Sequence, residues 1–275
     1  MPLEVHAFNY ILNKTNKKMS LELIKEIRQI TGAGMSDVNK ALKEADGDRA
    51  KAIEILRKRG QKIAAKKSDR EVKEGVIAFE QKDNKVAIVA LACETDFVAK
   101  NEDFQTAVQG LATKLMELGK EEFATWASKH VQDELIVKIG ENLQLANFDI
   151  FEGEVVGTYL HSNNKAASVI VLKGGNEELA KDIAMHATAM APKYLVPEDV
   201  PTEVIDKEKE IYTEQLKKEG KPAEVIVKIL EGKVNKFYTE VCLIKQTYVK
   251  DDKKSIEKLL EENNATIENF GYYSL

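Results

Sequence analysis

Apolar positions along the first part of the chain recur at helical spacing. Leu21, Ile24, Ile27 and Ile30 fall on one stripe, as an amphipathic helix requires, and Ser20 is placed to cap its start. TGAG (Thr31–Gly34) interrupts the stripe, because glycine takes the left-handed backbone that a tight helix-to-helix turn demands. Val38, Ala41 and Leu42 resume it in a second helix. ADGD (Ala45–Asp48) turns the chain again, and Asp48 caps a third helix carrying Ala52, Ile53 and Leu56, expected to stop at Gly60. Residues 61–74 are charged and weakly patterned and read as a linker, helical at most at its start.

The pattern then changes from helical spacing to apolar runs separated by polar turns. EGVIAFEQKDNKVAIVAL (74–91) reads as strand, polar turn, strand, and EGEVVGTYLHSNNKAASVIVL (152–172) repeats that order with the same Glu-Gly and Asn-Lys punctuation. A helix is predicted after each hairpin, at Asp103–Leu118 and Glu177–Met190, so the pattern suggests an internal duplication. Between the two lie a helical stretch, roughly 121–140, and an apolar strand near Leu143–Ile150. Pro192, Pro197 and Pro201 mark an irregular crossing. Two helices follow, one carrying Val204, Ile211 and Leu216, the other Val225, Ile229, Val234, Phe237 and Val241, separated by GKP (220–222). Their narrow apolar stripe in a Lys- and Glu-rich background predicts an antiparallel helical hairpin, about 201–241, projecting from the body. That hairpin is a candidate surface for pairing two copies. A helix (Ser255–Glu262) and a strand (Ala265–Tyr272) complete an α+β chain. The expected division is an extension at 1–19 with Met19 as a candidate true start, a three-helix domain at 20–60, the linker at 61–74, and core subdomains at 75–151 and 152–275.

Composition narrows the function classes. The 275 residues are 43% hydrophobic and 32% charged, which suits two or three compact units. A net charge of −5 with Lys and Glu interspersed gives no electrostatic footprint for direct nucleic-acid binding. Cys93 and Cys242 are far apart and outside any CxxC or Cys/His spacing, so no disulfide framework or zinc site is expected and a reducing cytoplasm fits. No apolar run approaches the roughly 18 residues of a membrane span, and the N-terminus lacks a signal peptide's apolar core and cleavage site. TGAG follows a helix rather than a strand, and no Gly-Lys-Ser/Thr occurs, so no nucleotide loop is present. His6, His130, His161 and His186 lack metal-ligand spacing. His186 lies on an apolar helix face and reads as a satisfied core residue; His161, at the tip end of the second hairpin, is expected to be exposed. Nothing assembles an acid, a base and an oxyanion site, which argues against an enzyme and against a bound cofactor or metal.

One stretch resists this accounting. ETDFVAKNEDF (94–104) begins where the buried strand Val86–Leu91 should hand over to a polar loop, yet it sets a bulky Phe97 beside Asp96. Either Asp96 caps the following turn and Phe97 packs into the body, or Phe97 is held out for a partner. Spacing alone leaves both readings open.

LIKEIRQITGAGMSDVNKALKEADGDRAKAIEILRKRG (23–60) together with ETDFVAKNEDF resembles the bacterial elongation factor Ts family. KIGENLQL (138–145), DIAMHATAMAPKYL (182–195) and EGKPAEVIVKILEGKVNKFYTEVCLIKQTYVKD (219–251) extend the resemblance over about 20–272. It implies a ubiquitin-associated (UBA)-like three-helix domain, a duplicated α+β core and a protruding coiled coil. It also implies a guanine nucleotide exchange factor that binds elongation factor Tu and promotes GDP release by disturbing Tu's magnesium and phosphate sites. Within Thr95-Asp96-Phe97-Val98, the resemblance assigns Asp96 and Phe97 to the intrusion near the magnesium end of Tu's nucleotide site. Met35 and Ser36, after TGAG, are assigned to Tu's GTPase domain, and Ile139, Gly140 and His161 to further contacts. The chain departs from the family at Ala90 and Ala92, often Glu and Asn, and at Ser36 and Asn39, often Met and Lys. It also ends at GYYSL, where many relatives continue with a short helical module. The alternative is an adaptor that recognises helices or ubiquitin-like surfaces through 20–60 alone; such a module would not need the Thr-Asp-Phe-Val turn.

Overall fold

The computed structural model describes residues 21–275; the expected cap Ser20 and the 1–19 extension lie outside them. Helices α1 (Leu21–Thr31), α2 (Met35–Glu44) and α3 (Arg49–Lys67) enclose a small core. Ile24, Ile27, Val38, Ala41, Leu42, Ala52 and Leu56 meet there, whereas Leu21 and Ile30, also on the helical stripe, are exposed. Gly32 takes φ +66° at the first turn, and the Lys51 N–H donates to the Asp48 carboxylate at 3.1 Å to begin α3.

The expected stop at Gly60 does not occur. Helix α3 runs through it to Lys67, so 61–67 is helix rather than linker. A mid-helix glycine costs about 1 kcal/mol against alanine, and here the space of its missing side chain is occupied by a neighbour. A Cβ on Gly60 would collide with Val137 Cγ2. The Lys- and Ala-rich sequence after Gly60 reads as unpatterned because its described side chains are largely exposed; the contacts that hold it come from residues 131–137. Arg57 pairs with Glu134 at 3.6 Å, and Gln61 donates to Asp133 at 2.8 Å.

Strands β1 (Glu74–Lys82) and β2 (Lys85–Cys93) form the first hairpin, with Asp83 in the left-handed region at the turn. A single turn, α4 (Asp96–Ala99), then α5 (Glu102–Leu118), follow β2. Helix α6 (Lys120–His130) passes through a π-helical segment, Val131–Leu135, into the short α7 (Ile136–Ile139). Phe123, Ala127, Val131 and Leu135 are all buried, a spacing of four that an α-helix of 3.6 residues per turn cannot keep on one face. The wider π turn takes up the drift. Strand β3 (Leu143–Glu152) joins the first sheet in the order β1-β2-β3.

The element order in the second half parallels that of the first. Strands β4 (Val155–Leu160) and β5 (Ala166–Lys173) form a hairpin, α8 (Glu177–Met190) follows, and β6 (Thr266–Ser274) completes the order β4-β5-β6. Both pairings in this sheet are antiparallel. Its core joins Ile170 and Leu172 to Ala180, Ile183, Ala184 and Ala187. His186 is fully buried there; the Val249 N–H donates to its Nδ1 at 3.3 Å, and its Nε2 lies 3.0 Å from Gln246 Oε1. Helices α9 (Thr202–Lys218) and α10 (Ala223–Val241) follow one another across the turn 219–222, and α11 (Ile256–Glu262) precedes β6.

By its contacts the chain divides into two compact units. One holds the described residues up to Ala78, Val89–Phe148 and Leu275; the other holds Phe79–Ile88 and Asp149–Ser274. Among the described residues no helix is long and apolar enough to cross a membrane.

Candidate functional site

Strand β2 ends fully buried at Cys93, and within four residues the chain exposes an aromatic ring. The local sequence explains the reversal. Thr95 adopts an extended backbone (φ −126°, ψ 152°), and its hydroxyl oxygen accepts the Val98 N–H at 3.4 Å, so Thr95 rather than Asp96 caps the turn. Asp96 instead accepts from Lys100 Nζ at 2.7 Å, one helical turn on. That hydrogen bond, with the charge behind it, holds the Asp96 carboxyl below its usual pKa. The one-turn helix puts Ala99 inward and Phe97 outward. Phe97 is 81% exposed, whereas Phe104, in the same eleven-residue stretch, is fully buried. Asn101 separates these two fates: its Oδ1 accepts the N–H groups of Asp103 (2.8 Å) and Phe104 (3.3 Å) and starts α5 so that Phe104 enters the core. The reading in which Phe97 packs into the body is therefore wrong.

A second segment holds this turn from outside. Glu141 Oε2 accepts the backbone N–H groups of Glu94 (3.0 Å) and Thr95 (3.1 Å), and Glu141 Oε1 accepts the Thr95 hydroxyl at 2.6 Å. The exchange is reciprocal, for the Asn142 N–H donates to Glu94 Oε1 at 2.6 Å. That bond, aided by Arg70 at 3.3 Å, lowers the Glu94 pKa against the opposing effect of burial. The Asn142 side chain is buried and donates to the carbonyls of Ser68 (3.3 Å) and Arg70 (2.7 Å), while Lys67 Nζ donates to the Gly140 carbonyl. The residues just beyond α3 are thus tied into the site by their own backbone. Gly140 sits at φ +84° with no heavy atom within 4 Å of a built Cβ, so the position needs glycine for its backbone conformation alone.

The predicted site residues separate into groups. Val98 and Ile139 line one groove of about 470 Å³ in the first unit, together with Lys25, Arg28, Gly32, Asn101 and Lys138. Thr95, Asp96 and Phe97 adjoin Val98 on the same turn, and Gly140 follows Ile139. Met35 and Ser36 are exposed at the start of α2 and do not line the groove. His161 belongs to the second unit, exposed where β4 enters its turn; its backbone N–H donates to the Ala166 carbonyl at 2.8 Å. Among the described residues no group of three or more His, Cys, Asp or Glu could hold a metal ion. What the surface offers is contact chemistry: a protruding aromatic ring, an ionised carboxylate, and a groove carrying three cations and the Asp103 carboxylate.

Sequence reasoning missed Glu94, Glu141, Asn142, Arg70 and Lys67. The available signal was a Glu-Asn pair directly after Gly140 and before an apolar strand, where polar side chains must either face water or satisfy a neighbouring backbone. Only the fold shows which backbone that is.

Residues 94–275 match the model of the family described as Elongation factor TS. The chain is similar to elongation factor Ts of a Hydrogenobaculum species, 42% identical over 265 residues, covering 92% of this chain and 97% of the relative. It is similar to that of Deinococcus radiodurans, 41% identical over 258 residues, covering 91% and 97%. With that of a Nitratiruptor species the identity is 45% over 264 residues, covering 89% and 87%.

Proposed function

The chain belongs to the elongation factor Ts family, and from that membership we propose that it binds elongation factor Tu and accelerates release of GDP during translation elongation. The observation that carries the reading is Phe97, 81% exposed on a turn whose backbone is fixed at both ends. A large apolar ring left in water on a rigid support is what an interface anchor looks like before its partner arrives.

The work asked of the protein is mechanical and electrostatic rather than covalent. Tu holds GDP through a phosphate loop and a magnesium ion, and that ion is the largest local charge at the site. A protein that binds nucleotide-free Tu better than Tu·GDP must, by linkage, lower Tu's affinity for GDP by the same factor. Phe97 is the wedge that displaces a packed element beside the magnesium, and Asp96 brings a second negative charge to the same place. Ile139 and Gly140 widen the contact, and Met35 and Ser36 on α2 and His161 on the second hairpin add to it. Nothing in this scheme requires a metal, a cofactor or a reaction catalysed by the protein itself.

The test is release of fluorescent GDP from purified Tu, followed by stopped flow with excess unlabelled GDP. The rate should rise with added protein and saturate. Binding to Tu with no change in release would return the protein to the adaptor class.

A further inference from the structure

The turn that carries Phe97 makes few contacts of its own. Helix α4 spans only Asp96–Ala99, too short to be stable by itself, and the ring it presents is exposed. Its orientation is set where β2 ends, at the N–H groups of Glu94 and Thr95, which both donate to the carboxylate of Glu141. Because one carboxylate accepts three donors, including the Thr95 hydroxyl, the plane of that carboxylate fixes the direction in which the chain leaves the strand. Bonds of this charge-assisted kind are short and directional.

The position of Glu141 is fixed in turn. It follows Gly140, whose left-handed backbone (φ +84°) ends α7 and turns the chain back toward β2. The Lys67 ammonium holds the Gly140 carbonyl, and Asn142 is anchored on the Ser68 and Arg70 carbonyls. The node therefore joins Ile139–Gly140 and Asp96–Phe97, two patches 42 residues or more apart in sequence, through one side chain.

We infer that Glu141 is a positioning residue of the exchange site: its carboxylate clamps the Glu94–Thr95 backbone, sets the direction of Phe97, and makes the Ile139–Gly140 and Phe97 patches one rigid contact surface. This rests on the exchange reading. Glu141 itself touches no nucleotide; it acts through Phe97, and that is what separates it from a residue that merely stabilises the fold.

The test uses the full chain and purified Tu loaded with fluorescent GDP, with release rate measured against protein concentration. Glu141→Ala should lower the limiting rate at saturation about tenfold or more, with less than about a threefold change in the half-saturating concentration. Glu141→Gln should recover most of the loss, because its carbonyl can accept both N–H groups and its amide can donate to the Thr95 oxygen. In a Phe97→Ala background, Glu141→Ala should have no further effect on the limiting rate. Glu141→Asp, which keeps the charge but withdraws the carboxylate by one methylene, is measured in parallel and carries the same expectation if Glu141→Ala melts below the assay temperature. A wild-type chain that does not accelerate release overturns the exchange reading and this inference with it. If the wild type accelerates release and Glu141→Ala matches it, or lowers the rate equally with and without Phe97, the positioning role alone is overturned.

Discussion

Truncating Phe97 to alanine separates fold from function, because the structure assigns it little of the first. A buried aromatic side chain covers about 200 Å². With Phe97 81% exposed, only about a fifth of that area is shielded, about 40 Å². At roughly 25 cal/mol per Å² this contributes about 1 kcal/mol at most. For a chain of this size such a change moves the thermal midpoint by about 2–4 °C. Phe104→Ala is the internal control: it removes a fully buried ring from the same segment and should cost about 3–5 kcal/mol. The functional magnitude runs the other way. If Phe97 is an interface anchor, its loss removes about 2 kcal/mol or more of the interaction that displaces GDP, equivalent to about thirtyfold in limiting release rate. The assay is a pair of measurements on each variant, a melting curve and stopped-flow release of labelled GDP at saturating protein. The reasoning is refuted if Phe97→Ala releases GDP at the wild-type limiting rate, or if its midpoint falls as far as that of Phe104→Ala.

Other consequences are open to measurement. Gly60→Ala improves helix propensity by about 1 kcal/mol but drives a methyl into Val137, so chemical denaturation should show a net loss of about 1–2 kcal/mol, relieved by a second change, Val137→Ala. Gly140→Ala meets no neighbouring atom and should cost about 1–2 kcal/mol through its left-handed backbone alone, also read from denaturant midpoints. His186 is buried, and burial lowers its pKa below the usual 6.5; the unfolded chain therefore binds its proton first as pH falls. Its contribution to stability should hold above about pH 6.5, decline as pH drops from there through the folded-state pKa, and level off below it. The difference in unfolding free energy between wild type and His186→Gln, followed from about pH 7.5 to 5, should show that slope; equal pH dependence in the two proteins would exclude it.

The parts of the fold visible in the sequence are those where one element's own pattern decides its state. The stripe through Ile24, Ile27, Val38 and Leu42 and the apolar runs broken by polar turns in the two hairpins need no partner to be read, and helix α8 has the predicted limits Glu177–Met190. Gly60 misleads because a glycine that ends a helix and a glycine that admits Val137 look alike until the second helix is in place. The candidate site divides in the same way. Exposure of Phe97 follows from the Thr95 and Asn101 caps, both local, yet spacing leaves it open because Asp96 is equally able to cap. The clamp from Glu141 depends on a residue 46 positions from Thr95, and no periodicity reports a bond of that range.

The π segment at Val131–Leu135 has a consequence of a different kind. Each residue of an α-helix turns the chain by about 100°, so the wide turn acts as a phase shifter between two clients of one helix. Upstream, the core dictates a bearing through Phe123 and Ala127; downstream, Ile139 and Glu141 must leave the helix on a bearing set by the end of β2. Forcing 131–135 into α geometry at unchanged length would overwind the segment and swing the exit at Gly140 by about a quarter turn, whereas removing one residue as well would restore nearly the original bearing. In this stretch, residue count and helix type are therefore constrained together.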